Sequence, residues 1–85
     1  MLIREALEKS PMNPNEKRLG QYLIDQGIQL ENATVRTVAK EVFLAPSSVV
    51  RFVQKLGFEG FNDFKKQYLE EIRYLSTHFQ KIDSN

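Results

Sequence analysis

Three residues, Phe43, Leu44 and Ala45, separate two stretches whose apolar side chains repeat at helical spacing. Before them stand Val35, Val38, Ala39 and Val42; after them Val49, Phe52, Val53 and Leu56. Each set makes one buried stripe on a helix. A link this short leaves room only for a tight turn, so the two helices must be direct neighbours. Local punctuation agrees: Thr34 can cap the first helix, and Pro46 suits the first turn of the second. Gly57 is placed to end the second helix in a left-handed conformation, with Phe58 folding back on it.

The rest of the chain is helical too. No segment alternates apolar and polar residues between turn signals, so no sheet is expected and the fold class is all-α, a small bundle of five helices. "LIREAL" predicts a short first helix with Leu2, Ile3, Ala6 and Leu7 on one side, stopped at "KSPMNP" by Pro11 and Pro14. Asn13, Pro14 and Glu16 then read as cap, first residue and third residue of a second helix, the capping-box arrangement. That helix runs to about Gly27 with Leu19, Tyr22 and Leu23 inward, and Gly20 within it suggests a close helix crossing. "IQLENA" reads as a loop. A fifth helix starts near Asn62, with Phe61, Phe64, Tyr68, Ile72, Leu75 and Phe79 at three- and four-residue intervals, and the tail "KIDSN" is expected to fray.

Length and composition narrow the function. Eighty-five residues make one domain with a small core. With no cysteine and one histidine, His78, the chain cannot assemble a zinc site, and neither metal nor cofactor is expected. His78 has no acid or nucleophile placed to work with it, so an enzyme is not expected. No apolar run approaches a membrane span, and "MLIREALEKS" puts charges where a signal peptide needs an apolar block, which makes the cytoplasm the expected location. "GFEG" matches the G-x-x-G of an RNA-clamping loop, but that module needs strands, and Glu59 would put an acid in its phosphate clamp. The net charge of +1 hides an uneven distribution: residues 34–66 carry +3, and the segments on either side carry −1 each. The middle of the chain therefore has the positive field that a polyanion would meet.

At about 100° per residue, the face of helix 46–56 opposite its core stripe holds Ser47, Arg51 and Gln54, flanked by Val50 and Lys55. These side chains suit base edges in a major groove: arginine pairs with guanine, glutamine with adenine, serine with either, and valine touches the thymine methyl. Ser47 and Ser48 also lie at the helix N-terminus, where free N–H groups favour phosphate. Any surface helix shows such residues outward, so this helix alone does not decide. The preceding helix shifts the balance, because a capped helix with Ala39 at its buried centre, a short turn with Leu44 inward, and a second amphipathic helix is the helix-turn-helix layout.

The run "TVRTVAKEVFLAPSSVVRFVQKLGFEGFNDFKKQYLEE" resembles the N-terminal domain of the RpiR family of bacterial transcriptional regulators. The resemblance is carried by "VAKEV", "SSVVRF" and "KLGFEGFNDFK" in order and without gaps, and "NPNEKRLGQYLI" is similar to the family's second helix. It covers roughly residues 1–76. It implies a sequence-specific domain for double-stranded DNA, in which Ser47, Ser48, Val50, Arg51 and Gln54 face bases and Arg36, Thr37, Lys40 and Lys55 hold phosphates. It also implies regulation of sugar metabolism, with a sugar-phosphate effector bound by a further sugar-isomerase-like (SIS) domain in the full-length protein. Residues 77–85 then form a tail or the start of a linker to that domain. A homodimer through the fifth helix or that further domain would match a palindromic operator.

Two positions depart from the family pattern. Ala45 stands where a serine cap is usual, a loss of about 1 kcal/mol that Pro46 offsets in part. Phe43 stands where many helix-turn-helix units have glycine, and a positive φ there would add strain of about 1 kcal/mol. The alternative function is a helical protein-interaction module without DNA contact, motivated by the long apolar stripe of the fifth helix.

Overall fold

The computed structural model describes residues 2–11 and 13–83, with side-chain surroundings to Thr77. Five α-helices follow in order: α1 Ile3–Lys9, α2 Pro14–Gln26, α3 Val35–Glu41, α4 Pro46–Lys55 and α5 Phe61–Asp83. The segment expected to be a loop is instead a 3₁₀ helix, Gly27–Asn32, entered through Gly27 at φ 51°. Its Leu30 is fully buried, so this turn completes the core instead of skirting it. No strand occurs among the described residues, which leaves the G-x-x-G reading without its sheet. No described helix is long and apolar enough to cross a membrane.

The core joins Leu7, Leu19 and Leu23 to the α3–α4 stripe of Val38, Ala39, Val42, Val49, Phe52 and Val53. Phe61, Phe64, Tyr68 and Leu69 of α5 close it from the other side, and among the described residues no charged group is buried in it. Phe64 is the hub of the α5 contribution. It meets Phe58 edge-on at 5.4 Å and stacks on Tyr68 at 5.4 Å, the offset and T-shaped geometries aromatic pairs favour. Tyr22 is half-buried against the core. Ile72 packs on its margin, and Phe79 lies outside the described side chains. α5 is described as far as Asp83, and Ser84 and Asn85 of "KIDSN" lie outside the described residues.

Gly20 permits the α1–α2 contact. A Cβ there would lie 2.7 Å from the Leu7 carbonyl oxygen, so any side chain would force the two backbones apart. α1 has no capping side chain of its own at Leu2. Its first N–H groups reach Glu71 of α5 instead, Ile3 N to Oε1 at 2.7 Å and Arg4 N to Oε2 at 3.2 Å. Lys65 likewise donates to the Ala33 carbonyl at 2.8 Å, closing the end of the 3₁₀ turn. Three separate helices are thus terminated by side chains from distant elements, because Arg18 does the same for α3.

Both helices of the central pair end in the same motif. In α3 the N–H of Phe43 reaches Lys40 O and that of Leu44 reaches Ala39 O; in α4 the N–H of Gly57 reaches Gln54 O and that of Phe58 reaches Val53 O. This is the Schellman pattern, whose first residue past the cap must turn left-handed. Gly57 does so at φ 108° without steric penalty; Phe43 does so at φ 60°, at a cost of about 1 kcal/mol. The positive φ on which that strain depends is therefore present, and it is not relieved by burial, since Phe43 is 85% exposed.

Candidate nucleic-acid interface

α3 begins with a reciprocal cap. Thr37 N donates to Thr34 Oγ1 at 3.2 Å and Thr34 N donates to Thr37 Oγ1 at 2.9 Å, a capping box built from two threonines. Thr37 Oγ1 also donates to Thr34 O at 2.9 Å. Its single hydroxyl proton is thereby engaged within the helix, which suits Thr37 to fixing the start of α3. α4 begins at Pro46 with Ala45 supplying no side-chain cap, as its methyl group requires.

Ser47, Arg51 and Gln54 are exposed on the side of α4 opposite Val49, Phe52 and Val53, and Val50 is half-buried at the edge of that face. Gln54 Nε2 donates to Glu59 O at 3.1 Å, so its amide spans the turn after α4. Ser48 is half-buried and lies with Arg51 and Lys55 along a groove whose opposite wall is Asn13, Asn15 and Glu16 at the start of α2. Lys55 Nζ crosses this groove to Glu16 at 3.1 and 3.3 Å. A second groove runs between α3 and the start of α4, lined by Arg36, Thr37, Lys40, Leu44 and Pro46. α4 is thus flanked by a groove on each side, the one beside α2 polar and the one beside α3 carrying its charges over an apolar floor.

Most described cations outside α3 and α4 are engaged, Lys17 and Lys66 excepted. Arg4 pairs with Glu8, Lys9 with Glu5 and Arg73 with Glu31, while Arg18 and Lys65 bond backbone carbonyls. Arg36, Lys40 and Arg51 carry no ion pair among the described residues. The one acid of α3 and α4, Glu41, acts on Tyr22, whose phenol is pushed up first by burial and then by that negative charge. No acidic residue occurs from Val42 through Phe58. The exposed side of the pair is therefore a cationic surface with hydroxyl and amide groups between the charges.

Sequence reasoning missed Asn13, Asn15 and Glu16 as neighbours of α4. The capping box expected for α2 drew attention to Asn13 and Glu16 as local partners, and Glu16 N does donate to Asn13 Oδ1 at 2.8 Å. The carboxylate of Glu16, however, reaches across to Lys55, a contact 39 residues away that no local pattern announces. No group of histidine, cysteine or acidic side chains that could hold a metal exists among the described residues.

The family model for the helix-turn-helix domain of the rpiR family matches residues 1–81 of the chain. A curated relative from Providencia stuartii, described as an uncharacterized HTH-type transcriptional regulator in the aarA 3' region, is 32% identical over 56 residues. The aligned stretch is 66% of this chain and 20% of the relative, so the chain spans about a fifth of that protein's length. No solved structure matches the chain.

Proposed function

Since the chain belongs to the rpiR family of helix-turn-helix domains, we propose that it is the DNA-binding part of a transcriptional regulator and that α4 enters the major groove. The observation that carries this reading is the set of unpaired cations Arg36, Lys40 and Arg51 on the exposed side of α3 and α4. Arg51 reads guanine through its forked donors, Ser47 and Gln54 meet neighbouring base edges, and Val50 offers its methyl groups to thymine. Ser48, at the groove beside α2, serves the margin of the base contact. Arg36 and Lys40 hold phosphates, with Thr37 fixing the helix start that carries them. Lys55 joins them only by leaving Glu16.

On the family resemblance, the reading extends to a regulator of sugar or sugar-phosphate metabolism, whose full-length form binds a sugar-phosphate effector and pairs as a homodimer.

The test is an NMR titration of the labelled chain with a random-sequence DNA duplex at low salt, repeated at higher salt. Shifts confined to residues 34–55 and fading steeply with salt are the expected result. An absence of shifts at low salt would overturn it in favour of a protein-interaction module, with α5 as the surface to examine.

A further inference from the structure

Phe43 costs the fold strain and returns almost no burial. Its backbone is held at φ 60°, where glycine is at ease, and its ring is 85% exposed. Gly57, at the same place in the next helix ending, shows the inexpensive solution in the same molecule. The ring fills no part of the core cluster, whereas Leu44, next to it, folds back against that cluster. A residue kept in a strained and solvated state by the surrounding hydrogen bonds points to a role in binding.

Its position indicates the partner. Phe43 follows Lys40 by three residues and precedes Ser47 by four, between one residue assigned to phosphate and one assigned to bases. The stretch Val42 to Phe58 has no acid to repel a phosphate backbone. We infer that Phe43 is a further DNA-contacting residue, which lays its ring on apolar carbon of the duplex, either a thymine methyl or a deoxyribose, at the edge of the groove that α4 enters. The inference rests on the DNA-binding reading above. A phenyl ring is among the side chains that recognise the thymine methyl, and burying it on DNA recovers the apolar surface that the folded chain leaves in water.

This assigns opposite effects on stability and affinity to one substitution, which a purely structural residue would not show. Phe43→Gly removes both the strain and the ring, so Tm rises by roughly 4–8 °C. Its affinity for a mixed-sequence duplex, measured by fluorescence anisotropy at low salt, falls roughly fivefold or more. Phe43→Ala, which keeps a Cβ at positive φ but lacks the ring, loses affinity in the same way without the gain in Tm. A matched duplex with deoxyuridine in place of thymine separates the two carbon surfaces. If wild type weakens on it more than Phe43→Gly does, the ring sits on a thymine methyl; if the two respond equally, as contacts through Val50 alone would make them, while Phe43→Gly stays weaker on both duplexes, it sits on deoxyribose. Wild-type affinity in Phe43→Gly, alongside a loss in Arg51→Ala, overturns the inference and leaves the DNA-binding reading intact. No binding of wild type to the duplex overturns both.

Discussion

Arg18 of α2 caps the far end of α3 by placing Nε 3.0 Å and Nη2 2.8 Å from the carbonyl oxygen of Val42. Val42 is the residue at which α3 stops and the strained turn begins, so α2 secures the geometry of the pair it packs against. The same guanidinium is steadied by Asn15 Oδ1 at 3.2 Å. Arg18→Ala leaves that carbonyl to water and is expected to lower stability by about 1–2 kcal/mol. Arg18→Lys recovers only part, because an ammonium cannot offer the two-pronged contact. Urea denaturation of the three proteins measures this, and equal midpoints would show that solvent serves Val42 equally well.

Arg51 and Lys40 are both unpaired, yet they stand on different helices and have different expected roles. Arg51→Ala should cost about 1–3 kcal/mol on a preferred sequence and much less on a scrambled one. Lys40→Ala should weaken all sequences alike and reduce the salt slope by about one. Binding isotherms on both duplexes over a salt series separate these outcomes. Equal losses on the two duplexes for Arg51→Ala would remove it from the base-reading set.

How far the sequence led is visible in these same residues. The inward stripe of α3 and α4 and the outward face of Ser47, Arg51 and Gln54 follow from helical periodicity, which is local, and the structure has them so. The left-handed Gly57 was legible for the same reason, since a helix end announces itself within a few positions, whereas Phe43 stood out only against the glycine usual at that turn. What stayed hidden depends on partners far away in the chain. Arg18, Lys65 and Glu71 read as surface charges until the backbone groups they cap are brought to them. The 3₁₀ turn was read as a loop because six residues are too few to display a period, and Leu69 was missed because it lies beside the stripe that begins at Phe64. In the interface, Lys55 and Thr37 had the right chemistry for phosphate, but only the fold shows Glu16 and Thr34 already engaging them.

Glu16 holds Lys55 in an ion pair, and on the proposed reading this keeps the lysine from phosphate. Glu16→Gln should release Lys55, raise affinity severalfold at low salt and steepen the salt slope by about one. Stability should change by only about 0.5 kcal/mol, since the lysine of the pair faces solvent. Lys55→Ala should then have little effect in the wild-type background and a clear one beside Glu16→Gln. Additive effects of the two substitutions would show that the ion pair does not restrain Lys55.

Asp63 gives the fold an acid-sensitive point. Its carboxylate accepts from Glu59 N at 3.0 Å and from Gln67 Nε2 at 3.0 Å. The backbone N–H first, and the glutamine amide second, hold its pKa below the ordinary aspartate range. A depressed acid stabilises the fold fully above that range, about pH 4, and ceases to do so as pH falls through its folded-state value. Wild type should thus melt above Asp63→Asn at neutral pH, and the gap should narrow steadily in acid. A gap that does not change with pH would mean the carboxylate's charge is immaterial to the turn between α4 and α5.

The Glu71 cap on α1 also sets the order in which the molecule opens. α3 and α4 both end in Schellman bonds between near neighbours, to which α3 adds its local threonine box and the more distant Arg18. α1 has seven residues, too few to persist alone in water, and its N-terminus depends on a carboxylate 68 positions away. Native-state hydrogen exchange should find the α1 amides released first, in a partial opening that leaves the central pair folded, and those of Val49 to Val53 released only with global unfolding. In that partly open form α5 would be stripped of its α1 partner while the cationic surface stayed assembled. On that outcome the amino-terminal helix would be a clasp that opens before the module it closes.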